Sequence, residues 1–135
     1  MPLAKPAVNR TNHAGKRHGG WGALRITTIG RRTGRARAVI VGYFEDGLNL
    51  VTLAMNGWGE AEPAWWLNLQ AHPDATVDLV DGPRQVTGHA AHGDERERLW
   101  ARWRQIDKDL DSYAARRSTE TAVVVLEPRP DAAGP

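Results

Sequence analysis

The residues best suited to chemistry in this 135-residue chain are four arginines and two glycines in one short segment. The segment reads GRRTGRAR at residues 30–37 and is called the arginine turn below. Guanidinium groups make bidentate, charge-assisted hydrogen bonds to phosphate and carboxylate oxygens, and glycine lets the backbone approach a ligand closely. The spacing is neither that of a Walker loop nor that of a dinucleotide-binding glycine motif. The segment therefore predicts a site for an anionic group, against the alternative of a solvated turn with surplus arginines.

The distribution of charge along the chain supports the same interpretation. Residues 1–44 contain nine Lys or Arg and no Asp or Glu, whereas residues 45–135 contain nine bases and sixteen acids. The small net charge of +2 therefore hides a strongly basic first third. Such an asymmetry favours a polyanionic partner for that third. The candidates are a phosphorylated or polycarboxylate ligand, a nucleic acid and an anionic membrane surface.

A second candidate segment is rich in tryptophan. Three of the six tryptophans lie in residues 54–69, which read AMNGWGEAEPAWWLNL. A glycine-rich loop followed by a helix that begins with two tryptophans can form one wall of a slot for a flat conjugated ring. The four-residue spacing of Trp65 and Leu69 favours a core position for Trp65, whereas Trp58, on the loop, is expected to contact a ligand. Asn68 is expected to hydrogen-bond a backbone group or the edge of a ring.

Other chemistries find little support in the residue types. The chain has no cysteine, and its five histidines lack the spacing of metal ligands, so we expect no metal site. The carboxylates of GDERERLW are expected on the first turn and charged face of a helix whose N-cap is Asp94. No stretch is long and apolar enough for a membrane span or a secretory signal, so we expect a cytoplasmic protein, with membrane association as the alternative.

The elements that must position these segments are mostly strands. Alternating and β-branched patterns predict strands at residues 23–29, 36–44, 48–54, 75–80, 84–91 and 121–127. Helices are predicted from Pro63, from Asp94 and over residues 110–117. Because the first three strands follow one another without crossover helices, we predict an antiparallel barrel or strongly curled sheet, a mainly β (α+β) domain, over residues 22–128. Residues 1–21 are expected to form a flexible basic arm and residues 129–135 a disordered tail.

Two segments, in this order, resemble the deazaflavin-dependent nitroreductase family of actinobacterial oxidoreductases. TTIGRRTGRARAVIVGYFEDG resembles the family's strand–turn–strand motif, and AMNGWGEAEPAWWLNLQAHPDATV resembles its loop–helix motif. The resemblance implies a six-stranded antiparallel split β-barrel, similar to FMN-binding proteins. It also implies coenzyme F420, a deazaflavin, as the cofactor, with FMN as the runner-up. The chain departs from the family at Met55, where serine is common, and at Trp58, where the second of two glycines is usual.

The resemblance also implies roles for particular residues. The arginine turn would bind the phosphodiester and oligoglutamate tail of the cofactor, and two later groups would line its ring. The cofactor-binding residues implied in this way are Arg31, Arg32, Thr33, Gly34, Arg35, Ala36, Arg37, Val41, Gly42, Tyr43, Leu53, Ala54, Met55, Asn56 and Gly57. Trp58, Trp66 and Leu110 would shape the substrate pocket, and the catalytic proton donor would be Tyr113.

Three functions stay open on the sequence. The first is a reductase, monomeric or homodimeric, that passes a hydride to an apolar activated alkene, a quinone or a nitro compound. The second is a binding protein on the same barrel that holds cofactor, fatty acid or heme without turnover. The third is a binder of nucleic acid or anionic membrane. The third leaves the tryptophan-rich segment without a role, so we expect no nucleic acid partner and at most weak membrane contact by the N-terminal arm.

Overall fold

The computed structural model describes residues 21–129, which form six strands and three helices. The strands are β1 (Trp21–Ile29), β2 (Ala36–Asp46), β3 (Asn49–Leu53), β4 (Asp74–Leu79), β5 (Gly82–Ala90) and β6 (Val123–Pro128). The helices are α1 (Ala64–Ala71), α2 (Gly93–Ile106) and α3 (Leu110–Ala114). The predicted arm and tail lie outside the described residues except at their inner ends. There Trp21 begins β1, and the Arg129 backbone N–H donates to the Gln85 carbonyl at 2.9 Å.

The six strands close into a barrel in the order β1-β2-β3-β6-β5-β4, and every neighbouring pair is antiparallel. The predicted six-stranded antiparallel barrel is therefore confirmed. β1 pairs with β2 along its whole length, from Trp21 opposite Phe44 to Ile29 opposite Ala36. β2 pairs with β3 only at residues 44–46. The first part of β2 is therefore not paired with β3, and the barrel is open on that side.

Two apolar clusters stabilise the barrel, one inside it and one outside. Because side chains alternate along a strand, Leu50 of β3 packs in the barrel interior and Val51 packs on the outer face. The outer cluster is covered by α2 and α3, where the Trp103 ring meets Phe44 edge-on at a centroid distance of 5.0 Å. Complete burial of a large apolar side chain in these clusters stabilises the folded state by about 1.5–3 kcal/mol.

The start of α2 differs from the sequence prediction. The helix begins at Gly93, its N-cap is His92, and no side chain caps it. Asp94 lies in the first turn instead, where its negative charge is favourable next to the positive end of the helix dipole. Gly93 takes φ +58°, a left-handed conformation that turns the chain from β5 into the helix. No helix among residues 21–129 is long and apolar enough to cross a membrane.

Candidate functional site

The arginine turn is a compact loop closed by its own backbone. The Gly30 N–H donates to the Arg35 carbonyl at 2.7 Å, and the Gly34 N–H donates to the Gly30 carbonyl at 2.8 Å. The Thr33 hydroxyl accepts from the Arg35 N–H at 3.2 Å. A Cβ at Gly30 would lie 3.0 Å from the Thr33 Oγ1 and 3.2 Å from the Arg35 carbonyl oxygen. A side chain at position 30 would therefore be tightly packed against the turn, and the turn presents the exposed arginine side chains that follow.

The arginines of this turn have no acidic partner in the part of the chain that the structure describes. Among residues 21–129, no ion pair joins Arg31, Arg32, Arg35 or Arg37 to an Asp or Glu side chain. Elsewhere in the same part of the chain, ion pairs join arginine to a carboxylate at positions 84, 96, 98, 102, 104, 117 and 129. The turn therefore presents several unneutralised positive charges close together, an arrangement that attracts a multiply charged anion.

Asn68 of α1 joins the helix to the arginine turn. Its Oδ1 accepts from the Arg31 backbone N–H at 3.1 Å and from the Arg31 Nη1 at 3.0 Å. Its Nδ2 donates to the Thr28 hydroxyl at 3.3 Å. Asn68 and Thr28 are both buried, and buried polar groups need hydrogen-bond partners. These two side chains find such partners in each other and in Arg31. The Asn68 contact is thus to a backbone group and a guanidinium.

A cavity of about 590 Å³ extends from the arginine turn toward the open side of the barrel. It is lined by residues 30–33 and 37–41, by residues 55 and 56 of the loop after β3, and by residues 63–65 and 68 at α1. Arg31, Arg32 and Arg37 make one part of this larger cavity cationic, whereas Val41 and Trp65 make another part apolar. Such a cavity suits a ligand with an anionic tail and a flat apolar ring.

A smaller cavity of about 290 Å³ adjoins the larger one, and the two share Ile40, Val41 and Met55. It is lined by residues 21, 40–42, 52, 53, 55, 58, 103, 106, 107 and 110, most of which are apolar. Among residues 21–129, Asp107 is the only ionisable side chain in this wall. The smaller cavity therefore suits an apolar molecule bound beside the ring-shaped part of a ligand in the larger cavity.

The loop between β3 and α1 contributes to both cavities and has an unusual backbone. We call residues 55–62 the tryptophan loop. Gly57 takes φ +60°, and Trp58 takes φ +64°, a left-handed conformation that is rare for a bulky residue. The Gly59 N–H donates to the Asn56 carbonyl at 3.0 Å. The tight turn so formed places Trp58 in the wall of the smaller cavity.

Many of the residues singled out from the sequence lie in these walls. Those in the larger cavity are Arg31, Arg32, Thr33, Arg37, Val41, Met55 and Asn56. Those in the smaller cavity are Val41, Gly42, Leu53, Met55, Trp58 and Leu110. The structure therefore brings the arginine turn, β2 and the tryptophan loop together around two adjacent cavities.

Other predicted site residues lie outside both walls. Gly34, Arg35 and Ala36 belong to the exposed turn, and Gly57 belongs to the tryptophan loop. Tyr43, Ala54 and Trp66 are buried in the cluster inside the barrel. Tyr113 lies against Trp58, with ring centroids 6.2 Å apart.

The two neighbouring tryptophans of α1 differ from the sequence prediction. Trp66 packs in the barrel interior and lines neither cavity, whereas Trp65 is buried and also lines the larger cavity. Their rings meet edge-on at 6.3 Å. The expected core position of Trp65 is confirmed. The sequence predicted that Trp66 would face a cavity, whereas Trp65 is the tryptophan of α1 that lines one. Both tryptophans are almost fully buried. The apolar pattern of the sequence therefore does not show which of the two rings also reaches the cavity.

Tyr43, expected near a cofactor ring, faces the barrel interior. Its hydroxyl is buried and has no hydrogen-bond partner among the described residues. Burial raises the pKa of Tyr43 well above its usual range, and the nearby Glu45 carboxylate adds to this effect. Tyr43 is therefore a neutral core residue at physiological pH.

Several wall residues escaped the sequence analysis as site residues, including Ala38, Val39 and Ile40 of β2. Pro63 and Ala64 line the larger cavity, and Thr52 and Asp107 line the smaller one. Trp103 also lines the smaller cavity, although the helical pattern assigned it to the core. The position of Pro63 at the start of α1, beside a glycine-rich loop, was the one signal that could have indicated a wall.

The closed barrel, the arginine turn and the two adjoining cavities together form a site suited to a cofactor with an anionic tail and a flat ring. The model of the F420H(2)-dependent quinone reductase family matches residues 4–128, so the chain belongs to that family. It is an oxidoreductase that uses coenzyme F420, transferring a hydride from the reduced cofactor to a quinone. The F420 prediction is confirmed, and the family favours the reductase over the non-catalytic binding protein.

A relative of known sequence agrees with this assignment, and two solved structures share the fold. An F420H(2)-dependent quinone reductase of Mycobacterium tuberculosis is 30% identical over 112 residues, which cover 79% of this chain and 74% of the relative. The structure of the F420-H2 dependent reductase FDR-A matches with a TM-score of 0.70 at 24% identity, covering 78% of this chain and 93% of that one. The heme storage protein HutZ of Vibrio cholerae shares the fold, with a TM-score of 0.62 at 10% identity, covering 94% and 91%.

Proposed function

We propose that the arginine turn holds the anionic tail of coenzyme F420 and that the apolar part of the larger cavity holds its ring. The observation that supports this is the absence of any acidic partner for the turn arginines among residues 21–129, while Arg31, Arg32 and Arg37 line a cavity of ring size. Arg31, Arg32 and Arg37 would bind the phosphodiester and carboxylates. The tail carries several negative charges, which matches several unpaired guanidinium groups better than the single phosphate of FMN does.

The residues around the ring position it rather than react with it. Reduced F420 supplies the hydride. Val41 and Met55 line both cavities, and Asn56 lines the larger one beside Met55. Asn56 is the polar side chain of this group and is placed to hydrogen-bond the edge of a ring. Thr33 offers a hydroxyl to the tail, while the Gly34 to Arg37 backbone gives the turn its shape.

The smaller cavity is the proposed site of the electron acceptor. It shares three wall residues with the larger cavity, so a molecule in it lies beside the ring. Trp58 and Leu110 give the cavity apolar walls that exclude water around the transferred hydride. A quinone fits this environment, and apolar activated alkenes and nitro compounds are further candidate acceptors. The sequence-based assignment of the Tyr113 hydroxyl as proton donor stays a prediction.

Assembly and location are also proposals. A solved structure at 24% identity to this chain is a domain-swapped dimer, and this chain is expected to be a monomer or a homodimer. Light scattering of the purified protein distinguishes the two. A cytoplasmic location is expected. Contact between the basic arm and an anionic membrane concerns residues 1–20, which lie outside the described part of the chain, and a vesicle sedimentation assay tests it.

The experiment that tests the function is a parallel titration followed by turnover. The protein is titrated with oxidised F420 and with FMN, and binding is followed by absorbance and fluorescence. We expect F420 to bind at least about tenfold more tightly, because each charge-assisted contact contributes about 1.5–3 kcal/mol. Reduced F420 is then mixed with the protein and menadione. Tight binding without menadione-dependent oxidation would indicate a carrier, and equal affinity for FMN would contradict the tail assignment.

A further inference from the structure

We propose that residues 113–121, here called the support segment, position the tryptophan loop and thereby shape the acceptor cavity. In this arrangement Tyr113 acts through the contact of its ring with Trp58, and Arg117 acts as a clamp. Both are positioning residues, since neither lines a cavity. The effect on turnover rests on the proposed function, whereas the effect on the loop itself does not.

Arg117 is the main connection between the two segments. Its side chain is 0% exposed. Nη2 donates to the Glu62 carboxylate at 3.1 Å and to the Glu60 carbonyl at 3.2 Å, and Nη1 donates to the Thr121 hydroxyl at 2.9 Å. A buried guanidinium is costly unless its charge and its donors find partners. Two of these partners belong to the tryptophan loop. Displacing the loop would therefore leave the buried Arg117 guanidinium without them.

A second connection lies beside the first, on the protein surface. Both carboxylate oxygens of Glu60 accept from the Ser118 backbone N–H at 3.0 Å, and one of them accepts from the Ser118 hydroxyl at 2.9 Å. The Ser118 N–H lowers the pKa of Glu60, so the carboxylate is ionised at physiological pH. The loop is therefore joined to the support segment at two adjacent positions, one buried and one exposed.

The loop needs this support because its own sequence does not favour its conformation. Trp58 has φ +64° and lies between Gly57 and Gly59, which have many accessible conformations. A bulky residue persists in the left-handed region only where its surroundings hold it. The ring of Tyr113, tilted by 31° to the Trp58 ring, supplies such a surface. The Arg116 guanidinium lies 5.2 Å from the centre of the same Tyr113 ring.

Hydrogen exchange without any cofactor tests the positioning directly. In Arg117→Met we expect amide exchange in residues 55–62 to accelerate by at least about tenfold, while exchange in β1 and β2 changes by less than about twofold. Arg84→Met is the matched control, since it removes an arginine paired with Asp81 far along the chain and should leave the loop unchanged. Unchanged exchange in the loop of a folded Arg117→Met protein would overturn the proposal.

A milder variant covers the case in which Arg117→Met does not fold. Glu60→Ala removes the exposed connection to Ser118 and keeps the contacts of Arg117 with the Glu60 carbonyl and the Glu62 carboxylate. We expect exchange in residues 55–62 to accelerate by at least about threefold. Exchange equal to that of the wild type would again count against the support segment.

Kinetics with menadione as the acceptor separate the Tyr113 ring from its hydroxyl. Tyr113→Phe keeps the ring, and we expect KM for menadione to stay within about twofold of the wild type. Tyr113→Ala removes the ring, and we expect KM for menadione to rise by at least about fivefold and loop exchange to accelerate. A tenfold or larger loss of kcat in Tyr113→Phe with KM unchanged would instead identify the hydroxyl as the proton donor. Failure of the wild type to bind F420 would overturn the proposed function and leave the exchange measurements valid.

Discussion

Asn68 and Arg31, which are 37 positions apart in the chain, are joined by two hydrogen bonds to one oxygen atom. The Asn68 Oδ1 accepts from the Arg31 backbone N–H at 3.1 Å and from the Arg31 guanidinium at 3.0 Å. Both the path of the arginine turn and the direction of one of its charges thus depend on α1. Because the same amide also donates to the buried Thr28, the contact couples the barrel, the helix and the anion site.

Replacement of Asn68 by alanine should therefore affect both stability and binding. The variant leaves the Thr28 hydroxyl buried without its partner, so we expect the free energy of unfolding to fall by about 1–3 kcal/mol. The affinity for F420 should also fall, because Arg31 loses its fixed orientation. Denaturant unfolding and a fluorescence titration measure the two effects. Gln70→Ala, on the exposed side of α1, is the control and should stay within about 0.5 kcal/mol of the wild type. Equal stability of the two variants would contradict this interpretation of the Asn68 amide.

The arginine turn should determine cofactor affinity through charge. We expect the triple variant Arg31→Ala, Arg32→Ala, Arg37→Ala to raise the Kd for F420 by at least about 100-fold, since each charge-assisted contact contributes about 1.5–3 kcal/mol. Added salt should weaken binding to the wild type more than to the variant. A titration at two ionic strengths measures both quantities. Arg84→Ala, at an arginine already paired with Asp81, should leave the Kd unchanged. A triple variant with wild-type affinity would refute the tail site.

Two glycines of the barrel should respond in opposite ways to an added methyl group. A Cβ at Gly88 would collide with Leu69 Cδ2 and would lie 3.2 Å from Leu126 Cδ2, inside the barrel core. We expect Gly88→Ala to lower the free energy of unfolding by about 1–3 kcal/mol through overpacking. A Cβ at Gly42 would make only ordinary contacts, 3.7 Å from the Gly22 carbonyl oxygen and 3.9 Å from the Trp103 ring.

Gly42→Ala is therefore expected to keep the stability of the wild type within about 0.5 kcal/mol. Because Gly42 lines the smaller cavity, the same change should raise KM for a quinone. Thermal unfolding of both variants and steady-state kinetics of Gly42→Ala measure these effects. A Gly42→Ala protein with an unchanged KM would show that the acceptor does not approach this part of β2.

Tyr43 should make the fold sensitive to alkaline pH. Burial raises the pKa of Tyr43 above its ordinary value of 10.0, so the folded state binds this proton more tightly than the unfolded state does. The resulting stability is fully present below about pH 10 and is lost as the pH rises above it. The measurement is thermal unfolding between pH 8 and about pH 11, with tyrosinate absorbance recorded in parallel. Tyr43→Phe should remove most of this dependence, and an equal dependence in both proteins would contradict the buried position of the hydroxyl.

The fold and the exposed, cationic arginine turn could largely be predicted because their signals are local. Alternating residues in β1 and the turn chemistry around Gly47, which takes φ +63°, depend on neighbours in the chain, and antiparallel pairing follows from the short connections. The resemblance to a family added the F420 cofactor. The arginines of the turn attract an anion by their type and closeness, which are also properties of the sequence.

Which side chains face the cavities and which face the core could not be predicted in the same way. Trp65 and Trp66 are adjacent, and only their packing between α1 and the barrel decides that Trp65 faces the larger cavity. Tyr43 points inward because the register of β2 with β1 sends alternate side chains into the core. Such choices depend on contacts between segments that are far apart in the chain, and a local pattern contains no information about them.

Sequence by itself thus determined a six-stranded antiparallel barrel and a cationic turn suited to a polyanionic cofactor, because strand periodicity, turn residues and charge are local properties. Tertiary structure alone decided that Asn68 fixes Arg31 and that Arg117 reaches Glu62. It also placed Tyr113 against Trp58. These contacts join residues 37 and 55 positions apart, and closing such long loops is favourable only when the whole barrel has packed.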